Sequence, residues 1–117
     1  MDAITRDKLL KCGMNIEVTL DRFMGSEDLL IKFLKKFLAD DNYQKLMDSV
    51  QAQDFEKAFN ASHTLKGVSA NLGLDSLNLS TQKIVEKFRA KDYTNYEDML
   101  DEITKEYNTA IEVIESL

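Results

Sequence analysis

A chain of 117 residues with a formal charge of −6 can bury one core but not two, and its acidic balance argues against nucleic acid, which is held through clustered Lys and Arg. With 44% hydrophobic and 31% charged residues it reads as an ordinary globular chain, and its longest apolar runs, such as Leu29-Leu30-Ile31, fall far short of the roughly 20 residues a bilayer requires. One cysteine and one histidine exclude an internal disulfide and a Cys/His zinc cluster.

Asp2, Arg6, Asp7 and Lys8 interrupt any apolar stretch at the amino terminus, so no signal peptide is expected and the lone Cys12 fits a reducing, cytoplasmic setting. Proline is absent and glycine occurs only four times, which leaves turn punctuation scarce and lets helices run long. Residues 1–12 predict a short amphipathic helix stopped at Gly13, and residues 15–24 another stopped at Gly25, each glycine standing where a left-handed cap is favoured.

Ser26 then supplies an N-cap with Glu27 and Asp28 in the first turn, and Leu29, Leu30, Phe33, Leu34, Phe37 and Leu38 recur at helical spacing. Asp40-Asp41-Asn42, three poor helix formers in a row, predict a break or kink, with Asn42 as a fresh cap for residues 43–52 and one shared rod-like direction for both pieces. Asp54 caps a helix over 55–72 closed by Gly73. Asp75 caps the next, which carries Leu77, Leu79, Ile84, Val85 and Phe88 to about residue 90. Thr94-x-x-Glu97 has the capping-box form and opens a last helix whose Met99, Leu100, Ile103, Tyr107, Ile111 and Ile114 make an apolar stripe. No strand is predicted. Long helices joined by short connections pack as antiparallel neighbours, so the expected fold is all-α: one domain over 1–117, with an up-down four-helix bundle over 26–117 and the short helices of 1–25 laid across it.

The helix over 55–72 carries the chemistry. With about 100° of rotation per residue and Phe55 at zero, Ala58, Ala61, Leu65, Val68, Ser69 and Leu72 fall within roughly 220° to 320° and His63 near 80°, opposite the centre of that apolar face. The ordinary reading of a single histidine in a helical protein is a satisfied core or boundary residue, and the wheel weakens it. An imidazole in open water changes charge close to neutrality, so a neutral, nucleophilic nitrogen is available at cellular pH.

Lys66 lies one turn on, where its ammonium can reach a group attached to His63, although a bare surface lysine is the ordinary alternative. Gly67, at i+4 from the histidine, is harder to dismiss, because glycine inside a helix costs roughly 0.8 to 1 kcal/mol relative to alanine. With Ala70 a further turn along, the carboxy-terminal side of the histidine lacks bulk, as a face must if another protein is to approach the ring. Phe59 and Phe55 fall at the boundary with the core. Rings there are ordinarily core, and any exposed part would add apolar area around a polar centre.

These residues spell a pattern. His63-Thr64-Leu65-Lys66-Gly67-Val68-Ser69-Ala70-Asn71-Leu72-Gly73 resembles the H-x-L-K-G-x-S-x-x-L-G signature of histidine-containing phosphotransfer (HPt) domains, and the helix layout from about Asn15 onwards follows the same family. The resemblance implies a four-helix bundle that carries phosphate on the motif histidine within a multistep, two-component phosphorelay. Carried over, His63 is the phospho-acceptor, Lys66 the cation that partly neutralises the phosphoryl oxygens, and Gly67 the residue that leaves room for a receiver domain, with Phe59 and Ala70 beside it as docking surface. Many relatives orient the ring with a glutamine or glutamate on the following helix, at the position held here by Val85. Gln82 or Glu86 is the candidate substitute.

Phosphoryl transfer needs in-line positioning and neutralisation of the equatorial oxygens, usually with a divalent metal. The sequence shows one nucleophile and one cation, no metal cluster beside them, and neither a G-x-x-x-x-G-K-[ST] loop nor a G-x-G-x-x-G turn. The chain is therefore expected to act as a monomeric phosphocarrier without a cofactor, and not as an enzyme. Its partners would be a response-regulator receiver domain or a hybrid sensor kinase, the receiver supplying metal and catalytic carboxylates. The competing reading is a passive helical interaction module in which His63 does no chemistry. A di-iron bundle is disfavoured because Asn60, not Glu, stands three before His63, and Ser-His-Asp hydrolysis because no strained nucleophile turn accompanies the histidine.

Overall fold

The computed structural model describes every residue from Met1 to Leu117. Its helices, in chain order, are α1 (Ala3–Leu10), α2 (Ile16–Arg22), α3 (Glu27–Lys36), α4 (Asn42–Gln51), α5 (Phe55–Asn71), α6 (Asp75–Arg89) and α7 (Glu97–Glu115), with a 3-10 turn at Phe37–Ala39 after α3 and no strand. Four of the starts are capped by side chains that accept an otherwise orphaned backbone N–H: Asp2 from Thr5 (2.7 Å), Asn15 from Val18 (3.2 Å), Ser26 from Leu29 (3.1 Å) and Asp54 from Lys57 (3.2 Å). The fold is all-α, as expected.

Three predicted caps are corrected. At the break after α3, Asp40 turns extended (ψ 131°) and its carboxylate accepts from the Asn42 backbone N–H at 2.9 Å, so the cap of α4 comes from Asp40 in an Asx-type turn and Asn42 is already helical. Asp75 is the first residue of α6. Leu74 takes the N-cap place, because its N–H is committed to Ser69 O (2.9 Å) in the Schellman closure of α5. The box at Thr94-x-x-Glu97 does not form. Thr94 donates its N–H and Oγ–H to Asp92 instead (3.1 and 2.6 Å), and α7 starts at Glu97 with no side-chain cap. Asp92 is the stronger acceptor: the hydrogen bonds from Thr94, and then that from Lys87, pull its carboxyl down to about 2.

Four columns make the bundle. Phe33 and Phe37 lie beside Leu72 and Val68, and Asn42, Lys45 and Ser49 lie beside Thr64, Ala61, Asn60 and Lys57. The run from α3 into α4 is thus one antiparallel column along α5, despite its break. α5 returns against α6 through small side chains. Ser62 and Ser69 on α5 and Ser80 and Thr81 on α6 are all fully buried, and each hydroxyl donates to a carbonyl three or four residues back on its own helix, at 2.7–3.0 Å. The two helices approach closely while no buried polar side-chain atom is left unpaired. α7 closes the bundle, with Tyr43 stacked on Tyr107 (4.0 Å, 7°) and bonded to Thr104 (2.7 Å). One core cluster of 22 residues runs through all of it, and the molecule measures 44 × 22 × 20 Å.

The short helices lock one end. Gly13 and Gly73 adopt φ of +74° and +72°. A Cβ on the first would run into Ser76 Oγ and on the second into the Thr19 side chain, so these glycines serve close approach as well as reversal. Ser76 N–H donates to Cys12 O (3.1 Å), Arg22 Nη1 to Ala70 O (2.7 Å) and Lys8 Nζ to Ser116 O (3.0 Å). α1 and α2 therefore clamp the α5–α6 turn and the carboxy-terminal end of α7.

Candidate functional site

α5 is 17 residues long, and its rigidity follows from its sides. Ala58, Ala61, Ser62, Leu65 and Ser69 are buried, Leu65 packing in the central cluster, which turns His63 outward onto the surface. The imidazole is exposed, as the helical wheel requires. Val68, placed by the wheel on the apolar face, is only half-buried, because α3 and the 3-10 turn after it cover that side along a shallow groove rather than a sealed seam.

Around His63 the chain divides into a filled side and an open side. On the filled side the Phe59 ring, one turn earlier, lies tilted against the imidazole, with centroids 5.9 Å apart and planes at 47°. Phe59 is half-buried, neither fully core nor free, and the Arg89 guanidinium sits over it at 5.4 Å. On the open side, Gly67 is exposed and a Cβ built on it meets no atom within 4 Å. Nothing inside this molecule uses that space. Ala70 is half-buried at the far end of the gap, its carbonyl held by Arg22.

Lys66 is half-buried on the side of α5 that faces α6. Its backbone carbonyl accepts from Asn78 Nδ2 (2.8 Å) and from Ser69 Oγ (3.0 Å), which pins the residue while its ammonium enters no ion pair. Most neighbouring lysines are engaged: Lys57 with Asp54 at 3.8 Å, Lys83 with Glu102 at 3.0 Å and Lys87 with Asp92 at 2.9 Å. Val85 is fully buried and has no group that could hydrogen-bond to the ring. Gln82 and Glu86 are exposed on α6, but neither bonds to His63. Gln82 Nε2 donates to Asn78 Oδ1 at 3.0 Å, and Glu86 pairs with Arg89 at 3.5 Å.

Sequence reasoning missed Asn78, Arg89 and Arg22. Asn78 links the α6 polar face to the Lys66 carbonyl, and its spacing of four from Gln82 was the available signal. Arg89 lies one turn after Glu86, at i+3, a spacing that marks a helical ion pair but gives no hint of the aromatic ring beneath. Arg22 reaches across from another helix, and no local pattern points to it. No three His, Cys, Asp or Glu side chains gather where they could hold a metal ion.

The arrangement presents one outward imidazole, one lysine without an ion pair a turn along the same helix, and an open flank that a second protein could approach. The family model described as the Hpt domain matches residues 29–113, which is most of the chain and contains the whole histidine motif. The chain belongs to the Hpt domain family. Membership implies histidine phosphotransfer within a phosphorelay, as a phosphocarrier and not a classical enzyme. Neither the curated proteins nor the solved structures contain a significant match to it. No helix is long and apolar enough to cross a membrane.

Proposed function

We propose that His63 is the phospho-acceptor and that the protein exchanges a phosphoryl group with an aspartate of a response-regulator receiver domain. The observation that carries this reading is the exposed imidazole of His63, one turn before Lys66, whose ammonium is in no ion pair, and before the unfilled space at Gly67. In the forward step the outward ring nitrogen attacks the phosphorus of an aspartyl phosphate in line. The P–N bond forms, the acyl-phosphate P–O bond breaks, the aspartate leaves as carboxylate, and the ring sheds its proton to water.

Charge spreads over the three equatorial oxygens during that step. Lys66 supplies a point charge for them on the carrier side, while the metal and the catalytic carboxylates belong to the receiver. Gly67 and Ala70 leave room for the receiver surface, and Phe59 adds apolar area beside it. A hybrid sensor kinase carrying its own receiver would dock on the same face.

The test is transfer from a labelled, phosphorylated receiver to the wild-type chain and to His63→Gln. Acid-labile label should appear on the wild type alone. Equal label on both would remove His63 as acceptor, and no label on either would leave only a helical interaction module.

A further inference from the structure

The imidazole that attacks the phosphorus must be held still, and no side chain of α6 hydrogen-bonds to it: Val85 is sealed in the core, while Gln82 and Glu86 are bonded elsewhere. An exposed imidazole on a helix otherwise turns among its rotamers in picoseconds to nanoseconds. One group does touch the ring. Phe59, at i−4, lies against it at 5.9 Å and 47°, the geometry of an (i, i+4) helical pair. Phe59 is not loose either, because the Arg89 guanidinium covers it at 5.4 Å and is itself tethered to Glu86 at 3.5 Å.

We propose that Phe59 is the positioning residue of this site, an aromatic wall that selects the rotamer of His63, and that Arg89 acts through Phe59 by clamping it to α6. This rests on His63 being the phospho-acceptor. Two facts single out the wall. Phe59 lines one cavity with Phe55, Phe88 and Tyr93, and Phe55, one turn earlier, stacks on Tyr93 (4.5 Å, 9°) and meets Phe88 edge-on (5.7 Å), so a packed aromatic cluster stands on the far side of the clamped ring. The opposite flank at Gly67 is empty, so contact restrains the imidazole from one side only and the other stays open for a partner. Shape and a cation–π contact thus take the part that a hydrogen bond to the ring would otherwise play.

The experiment uses the full chain and compares Phe59→Leu, Phe59→Tyr, Arg89→Gln and the double variant Phe59→Leu/Arg89→Gln. The first readout is the χ1 rotamer distribution of His63, from three-bond couplings. The second is the rate of phosphorylation by phosphoramidate, whose P–N bond breaks as the ring forms a new one and ammonia leaves with the displaced proton. Phe59→Leu and Arg89→Gln should each spread the His63 rotamers and slow phosphorylation by about two- to fivefold, the factor that a surface cation–π contact of roughly 0.5–1 kcal/mol corresponds to. Phe59→Tyr, which keeps the ring, should behave as wild type. Because Arg89 acts through Phe59, the double variant should be no slower than the slower single one.

Arg89→Gln slowing the reaction as much in the Phe59→Leu background as in the wild type would overturn the proposal, since the arginine would then act on the phosphoryl group directly. Unchanged His63 rotamers in Phe59→Leu would overturn it too. Arg89 is exposed, so its variant folds whatever becomes of Phe59→Leu. A wild-type chain that takes phosphate from neither phosphoramidate nor a receiver would refute the phospho-acceptor reading instead, and the rotamer measurement would still decide the role of the wall.

Discussion

Replacing Gly67 by alanine separates what the fold needs from what a partner needs. Gly67 lies inside α5 with helical backbone angles, and a Cβ there meets nothing within 4 Å. The chain itself therefore gains from the substitution: alanine is favoured over glycine in a helix interior by roughly 0.8 to 1 kcal/mol. For a domain of this size that is about 3–5 °C in melting temperature. Transfer should move the other way. If a receiver closes over the gap, one methyl group overpacks the joint surface at a cost of about 1–3 kcal/mol, which is ~5- to 150-fold in the rate or affinity of exchange. Thermal unfolding by circular dichroism measures the first effect, and stopped transfer assays against a phosphorylated receiver measure the second. A variant that melts lower than wild type would refute the reading of the space as empty. One that melts higher and transfers at the wild-type rate would refute its use by a partner.

Lys66→Ala should leave the melting temperature nearly unchanged, because the ammonium is in no ion pair, and should shorten the life of the phosphohistidine by roughly five- to tenfold, as one charge–charge contact near the surface would; an unchanged decay rate would remove its role. Gly73→Ala is expected to destabilise by about 2 kcal/mol or more, since φ is +72° and the new Cβ meets Thr19, and chemical denaturation showing less than half that loss would contradict the close approach of α2 to the α5–α6 turn. Burial, with Glu106 as the lesser cause, pushes the Cys12 thiol from an ordinary 9.0 up to about 11. A raised pKa stabilises the fold fully below the unfolded value, so this contribution should drain away as pH rises from 9 to 11, a slope that Cys12→Ala should lack in denaturation midpoints measured across that window. At pH 8 a thiol reagent should label the native chain far more slowly than the chain in guanidinium, and equal rates would place Cys12 at the surface.

How legible the molecule was depends on the range of the interaction concerned. Apolar residues at helical spacing predict every long helix, and the outward turn of His63 follows from counting degrees around α5, because a buried face and its opposite are both local properties of one rod. The empty flank at Gly67 is visible as a glycine where helix propensity gives no reason for one. The caps at Asn42, Asp75 and Thr94 misled for a common reason. Each is displaced by a neighbour that fixes the local turn first: Asp40 binds the N–H of Asn42 and brings Asn42 into the helix, the Schellman closure holds Leu74 just ahead of Asp75, and Asp92 takes the N–H and hydroxyl of Thr94.

The sequence by itself therefore determined the all-helical class, the breaks between its rods, and the histidine motif with its exposed imidazole, since periodicity and motif spacing act over one or two turns. Only the tertiary structure decided that Val85 is sealed inside, that Asn78 pins the Lys66 carbonyl, and that Arg89 covers Phe59 beside His63. Those relations join residues 12 to 30 positions apart on two different helices, and their existence depends on the rotation of α6 against α5, which is set by the packing of buried serines and threonine and not by any pattern within either helix.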